Sequence, residues 1–157
     1  MKFKTNNPAE TRKLAKKLIQ VFIQSEKNRK HALVISLEGE LGSGKTTFTQ
    51  GFAKALGIKT WIKSPTFILM REHKISQKPE DHKAYSPYGF AALIHIDCYR
   101  LKNEKTFIEL GLKDILKDPK NIVFVEWGEK LKELLPQNAI KISLKHLGGN
   151  QREIKIL

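Results

Sequence analysis

The chain carries a single cysteine, Cys98. One thiol forms no internal disulfide and builds no cysteine zinc site, which excludes the disulfide-stapled secreted classes and points to a reducing cytoplasm. Cys98 itself reads as a small buried hydrophobe. Long apolar runs are also missing, and none approaches the ~20 residues that a membrane-spanning helix needs. The opening Met1-Lys2-Phe3-Lys4-Thr5 leads into a charged amphipathic segment without an apolar signal core, so export is not expected. The histidines His31, His73, His82 and His146 show no metal-ligand spacing, which removes a zinc centre from consideration. Arginine is confined to the scattered positions Arg12, Arg29, Arg71, Arg100 and Arg152, a poor match to the arginine-rich lid of a small-molecule kinase. No N-K-x-D string is present to read guanine. Negative charge is scarce as well: 16 acidic residues face 29 lysines and arginines, for a net charge of +13. That imbalance favours polyanionic partners such as RNA or an acidic protein, although scattered lysines equally describe a solvated face. No internal repeat or linker divides the 157 residues, so one domain spanning residues 1–157 is expected.

What is present is concentrated in Gly39-Glu40-Leu41-Gly42-Ser43-Gly44-Lys45-Thr46, which fills the G-x-x-x-x-G-K-[ST] template of a phosphate-binding loop. The apolar segment His31-Ala32-Leu33-Val34-Ile35-Ser36-Leu37 before it reads as a buried strand. Residues 46–56 after it read as a helix stopped by Gly57, with Phe48, Phe52, Ala55 and Leu56 on its buried face. Strand, glycine loop and helix follow in the order that lets successive backbone N–H groups and a helix N-terminus converge on phosphate oxygens. Lys45 is the residue to reach the outer phosphates, and the Thr46 hydroxyl is a magnesium ligand.

Around this loop the chain alternates helices and strands. Residues 8–24 repeat Leu14, Leu18, Val21 and Phe22 on one helical stripe, with Asn7 as cap and Pro8 at the first helical position. Ser64-Pro65-Thr66 leads through a proline-stiffened turn into an expected strand, Phe67-Ile68-Leu69-Met70. Residues 74–89 turn polar, with turn signals at Pro79 and Pro87-Tyr88-Gly89, and read as a loop. Two short helices broken at Gly111 occupy residues 104–117, a helical turn or two follows Glu129, and Gly148-Gly149-Asn150 marks a closing hairpin.

Two apolar strands end in acids: Leu93-Ile94-His95-Ile96-Asp97 and Ile122-Val123-Phe124-Val125-Glu126. In an open α/β sheet, ligands bind outside the carboxyl ends of the strands. Asp97 and Glu126 therefore both qualify to sit beside a magnesium ion, one on the metal and the other orienting the attacking water. The sequence leaves their order open. Taken alone, each also reads as a turn residue or a strand-end charge. Thr66 is a candidate switch-loop threonine, and also an ordinary turn residue. His95 shares a strand face with Asp97 and reads as a core or rim histidine rather than a base.

Read together, residues 39–47, Ser64-Pro65-Thr66-Phe67, Ile96-Asp97-Cys98-Tyr99-Arg100-Leu101, Glu109-Leu110-Gly111 and Val125-Glu126-Trp127 resemble, in order and spacing, the TsaE (YjeE) family. These are small bacterial P-loop ATPases needed for threonylcarbamoyl modification of the adenosine beside the anticodon in certain tRNAs. The resemblance runs from Thr11 to Arg152. It implies a P-loop NTPase-like three-layer α/β sandwich with a mainly parallel central sheet and an antiparallel C-terminal hairpin. It also implies an ATPase that acts on the partner proteins TsaB and TsaD, with ATP and Mg2+ as cofactors. Carried over residue by residue, Lys45, Asp97, Glu126 and Thr66 are the catalytic set, and Thr46, Asp97 and Glu126 stand on the metal side. Glu40, Leu41, Gly42, Ser43, Gly44, Lys45, Thr46 and Thr47 cradle the phosphates, Trp127 flanks the site, and Thr11 and Arg152 border the adenine. Two departures accompany it: residues 74–89 are longer than many members carry there, and Cys98 stands where a bulkier apolar residue is common. Contact between tRNA and the basic surface, or a nucleotide-gated RNA-binding assembly factor in which hydrolysis matters little, are the neighbouring readings.

Overall fold

Asn7 and Glu10 start the first helix reciprocally. The Asn7 side-chain oxygen accepts from the Glu10 backbone N–H at 2.9 Å, and the Glu10 carboxylate accepts from the Asn6 backbone N–H at 2.8 Å. Pro8 takes the first helical position, where its missing N–H costs nothing. The computed structural model describes residues 1–25, 28–75 and 88–157. In it helix α1 runs Pro8–Ser25, and its buried stripe is Thr11, Ala15, Leu18, Ile19 and Phe22. The expected stripe is thus rotated: Val21 is exposed and Leu14 only half-buried, because the helix turns its Ala15–Ile19 side onto the next helix.

Strand β1, Lys2–Thr5, precedes α1 and has no counterpart in the sequence reading. Strand β2 is Leu33–Glu38, followed by helix α2, Lys45–Ala55, then β3, Met70–Lys74, and β4, Ala92–Asp97. Helices α3, Lys105–Glu109, and α4, Leu112–Lys117, flank Gly111 as expected; β5 is Asn121–Glu126, a 3-10 turn spans Gly128–Leu131, and the hairpin strands are β6, Ile140–Gly148, and β7, Gln151–Ile156. The polar stretch 74–89 falls largely outside the described residues, including Pro79 and Pro87. All seven strands form one sheet in the order β1-β7-β6-β2-β5-β4-β3. The central strands β6, β2, β5 and β4 pair in parallel, whereas β3, β7 and β1 are added antiparallel. The expected parallel centre and antiparallel hairpin are both present, and the antiparallel share is larger than the sequence suggested because both edges carry it.

Two cores lie on opposite faces of the sheet. Leu33, Ile35 and Leu37 of β2 pack with α1 and α2, while Val34, Val123 and Ile96 pack with Phe107 and Leu112 of the short helices. Phe52 is the hinge of the first core: its ring stacks 6.2 Å from Phe22 and meets the edge of Phe124 at 4.6 Å. The close crossing of α1 over α2 depends on Gly51, where any Cβ would run into the Arg12 backbone.

Of the strand expected at residues 67–70, only Met70 is in one, as the first residue of β3; residues 67–69 form a turn. The Ile68 and Leu69 backbone N–H groups both donate to Pro65 O, at 3.0 and 2.7 Å, Leu69 takes φ 65, and pairing with β4 starts only at Met70. Local apolar character is overruled there by the hydroxyls of Ser64 and Thr66, which are drawn onto Asp97.

Cys98 is fully buried, and burial pushes its thiol well above the ordinary range, with the neighbouring Asp97 carboxylate adding to the shift. The thiolate is the reactive form. Alkylation at pH 8 is therefore expected to run at least about 100-fold slower in the native chain than in denaturant, where the side chain is solvated. Mass spectrometry of iodoacetamide-treated protein reads this directly, and full labelling of the native chain within minutes would contradict the buried placement.

Candidate functional site: a phosphate loop facing two strand-end acids

Sheet register assembles the site. Asp97 pairs directly across from Glu126, and Glu126 across from Leu37, so the ends of β4, β5 and β2 come level at one edge of the sheet. From that edge β2 continues into the glycine loop. Gly39 holds φ 137 and its missing side chain leaves room for the Leu144 carbonyl, a position no other residue fits. Gly44, at φ 102, delivers the chain into α2, whose first-turn residues Lys45, Thr46 and Thr47 line the cavity.

The cavity measures about 260 Å³ and is bordered by the loop, by Ser64 and Thr66, by Asp97 and Glu126, by Tyr99 and Trp127, and by Pro8, Thr11, Asn150 and Arg152. It thus brings together Leu41, Gly42, Gly44, Lys45, Thr46, Thr47, Thr66, Asp97, Glu126, Trp127, Thr11 and Arg152. Glu40 and Ser43 are outside the lining, the first exposed and the second buried. The Glu40 carbonyl accepts from Lys45 at 2.9 Å, and Ser43 is buried under the loop.

The Lys45 ammonium also donates to Gly39 O at 2.6 Å and lies 4.1 Å from the Trp127 ring centroid. Burial pulls its pKa below the ordinary lysine value, against the opposing pull of the Glu126, Glu129, Asp97 and Glu40 carboxylates. Its present partners are neutral carbonyls, and a phosphate oxygen is a stronger, charge-assisted acceptor. Arg152 reaches from β7 to donate to Gly42 O at 3.0 Å, bracing the outer side of the loop.

The two acids are differently engaged. The Thr46 hydroxyl donates to the Glu126 carboxylate at 2.9 and 3.1 Å, and His95 Nε2 meets Glu126 Oε1 at 2.8 Å. Since a carboxylate only accepts, His95 presents its proton on Nε2, and its Nδ1 has no partner among the described residues. His95 is wholly buried, so it fixes the Glu126 carboxylate from behind. Asp97 instead takes the hydroxyls of Ser64 and Thr66, the latter at 2.6 Å, and accepts from the Tyr99 backbone N–H at 2.8 Å.

This donor set is all oxygen: the Thr46 hydroxyl, Glu126 and, across the cavity, Asp97. Hard oxygen donors fit magnesium, which keeps several waters and takes one or two carboxylates plus phosphate oxygens. Among the described residues no cluster of three histidine, cysteine or acidic side chains is gathered for a softer metal. Pro8, Ser64, His95, Tyr99 and Asn150 are not among the site residues expected from the sequence; Ser64, two positions before Thr66, Tyr99, two after Asp97, and His95, two before it, each carry a positional signal that could have found them, whereas Pro8 and Asn150 carry none.

A family model described as "Threonylcarbamoyl adenosine biosynthesis protein TsaE" matches residues 5–154. The chain belongs to the TsaE family. It is 37% identical over 154 residues to the tRNA threonylcarbamoyladenosine biosynthesis protein TsaE of Bacillus subtilis, covering 98% of this chain and 83% of that one. It is 33% identical over 123 residues to the TsaE protein of Treponema pallidum, covering 78% of this chain and 80% of its relative. A crystal structure of Bacillus subtilis YdiB superposes with a TM-score of 0.69 at 32% identity, over 99% of this chain and 83% of the other. The TsaE match includes both glycine loop and hairpin, so the mixed sheet is the family's P-loop NTPase-like fold. Among the described residues of this TsaE chain, no helix is long and apolar enough to cross a membrane.

Proposed function

We propose that the chain is a magnesium-dependent ATPase, one domain over residues 1–157, that hydrolyses ATP slowly in the cytoplasm and serves threonylcarbamoyl modification of the adenosine beside the tRNA anticodon. Its output goes to a complex of the partner proteins TsaB and TsaD, as family membership implies. The observation that carries the reading is the Thr46–Glu126 pair at the start of α2, level with Asp97 on the neighbouring strand.

In this reading Lys45 and the loop N–H groups bind the β- and γ-phosphates. Thr46 and Glu126 would hold magnesium, which when bound offsets phosphate charge. Asp97 orients the attacking water and the Ser64–Thr66 hydroxyls report what occupies the cavity, a division of labour that follows from Glu126 already sharing the Thr46 hydroxyl. Trp127 covers the phosphate end, while Thr11, Pro8, Asn150 and Arg152 border the nucleoside end. Turnover in isolation is slow because the two arginines nearest the cavity among the described residues are already engaged: Arg100 lies 4.4 Å over the Phe67 ring, and Arg152 donates to the loop carbonyl.

The test mixes the purified chain with TsaB and TsaD and follows co-elution and ATP hydrolysis, with and without tRNA. Formation of a complex together with faster hydrolysis is expected. Neither complex nor stimulation would contradict the partner assignment and favour transfer of phosphate to a small acceptor.

A further inference from the structure

A second, larger concavity of about 760 Å³ is formed where α1, α2 and residues 57–62 meet. Its lining carries Arg12, Lys13, Lys16, Lys54 and Lys59, and among the described residues no carboxylate borders it. None of these five cations enters an ion pair among the described residues. Five like charges around one groove repel one another, and a folded chain gains nothing from gathering them unless a polyanion is received there. At the groove's edge stands Trp61, 65% exposed, with the Arg12 guanidinium 5.8 Å from its ring centroid. A large aromatic left in water beside clustered cations is the combination that binds single-stranded nucleic acid: phosphates go to the lysines and an unstacked base to the indole face.

We infer that this groove is a docking site for single-stranded RNA, with phosphates on Arg12, Lys13, Lys16, Lys54 and Lys59 and one base stacked on Trp61. Phosphate alone does not explain the exposed indole, and an acidic peptide does not need a flat π-face. The choice of RNA as the nucleic acid rests on the tRNA-modification role proposed above; the groove's chemistry does not rest on ATP hydrolysis. The groove wall is also mechanically joined to the nucleotide cavity. The Gln50 side-chain amide donates to Ile62 O at 2.9 Å, and the same segment continues two residues on to Ser64, which hydrogen-bonds to Asp97. RNA and nucleotide are thus held at two ends of one stretch of chain.

The experiment measures anisotropy of a labelled single-stranded RNA oligonucleotide titrated with the full chain, without nucleotide or partner, across a salt series. Five phosphate contacts give a slope of log K against log salt of about −3.5. Trp61→Ala is expected to weaken binding about tenfold, and Trp61→Phe to recover most of the loss because a stacking face remains. The double charge reversal Lys13→Glu with Lys54→Glu is expected to cost more than tenfold and to flatten the salt slope. Lys113→Glu, on α4 across the sheet, carries a single charge reversal outside the groove and is expected to change affinity less than twofold. All these side chains except Arg12 are exposed, so melting temperatures close to wild type confirm that folding is intact. Absence of RNA binding by the wild-type chain, groove variants no weaker than Lys113→Glu, or a polyglutamate peptide that binds the groove more tightly than RNA would each overturn the assignment. Hydrolysis of ATP is read separately in the same variants, so loss of RNA binding with turnover retained leaves the ATPase reading standing, and the converse leaves the groove.

Discussion

Lys45→Ala is expected to lower affinity for ATP by about 100-fold or more. Among the described residues the ammonium is the one buried cation at the phosphate loop, and charge-assisted hydrogen bonds contribute about 1.5–3 kcal/mol each, so losing the contacts to two phosphates amounts to roughly two decades or beyond. Thermal melting separates this from misfolding. Wild-type protein saturated with Mg-ATP at about 100 times its Kd gains about 2.7 kcal/mol of stability, and the variant gains almost none. Without nucleotide the variant loses the bonds to Gly39 O and Glu40 O, at the mouth of a solvent-open cavity where water replaces the ammonium. Its ligand-free melting temperature is therefore expected to stay within a few degrees of wild type. An unchanged ATP-induced shift would remove Lys45 from the phosphate site.

Glu126→Gln has the second large effect, and its signature is different. The amide keeps the size and packing of the carboxylate but drops its charge, and it offers one oxygen where the carboxylate offers two. Glu126 now receives the Thr46 hydroxyl on both oxygens and His95 on one of them, so a single amide oxygen cannot serve all three contacts. The negative charge beside Thr46 disappears at the same time. Hydrolysis is expected to fall by about 10²–10³, the range seen when a preorganised electrostatic contact is removed, while ATP affinity changes by less than about tenfold because Lys45 and the loop are intact. Single-turnover phosphate release paired with equilibrium binding reads the two separately. A variant that turns over within about threefold of wild type would show that Glu126 is a structural partner of Thr46 and His95 and nothing more.

The sequence made the phosphate loop, both strand-end acids, the broken helix at Gly111 and the closing hairpin legible, because each is a local pattern. The apolar runs that end in Asp97 and Glu126 needed only a sheet to become neighbours, and their direct pairing across β4 and β5 supplied it. What stayed hidden depended on register between distant residues. Strand β1 is only Lys2–Thr5, and it exists because β7 offers it an edge, reinforced by the Lys2–Glu153 ion pair at 2.7 Å. Residues 67–69 have strand-like side chains, yet two hydroxyls three and one positions upstream of Phe67 prefer Asp97, and the strand starts only at Met70. His95 reads from sequence as an ordinary core histidine, and it is one by burial. Only the pairing of β4 with β5 reveals that its Nε2 is aimed at Glu126. The rotation of α1 has the same origin: Gly51 lets the helices approach on the Ala15–Ile19 side, and no spacing rule applied to α1 alone contains that information. The net charge of +13 was visible at once, but its meaning was not. Only the fold gathers Arg12, Lys13 and Lys16 from one helix with Lys54 from another and Lys59 from the segment that follows it, and places Trp61 beside them.

The central claim is that Lys45, Thr46, Glu126 and Asp97 form one magnesium-nucleotide hydrolysing centre. The measurement that tests it most directly is phosphate release from ATP by the purified wild-type chain, with magnesium and with EDTA. Slow release, measurable above background and abolished by EDTA, is expected. Release that persists undiminished in EDTA, or no release and no binding of Mg-ATP at millimolar concentration, would contradict it.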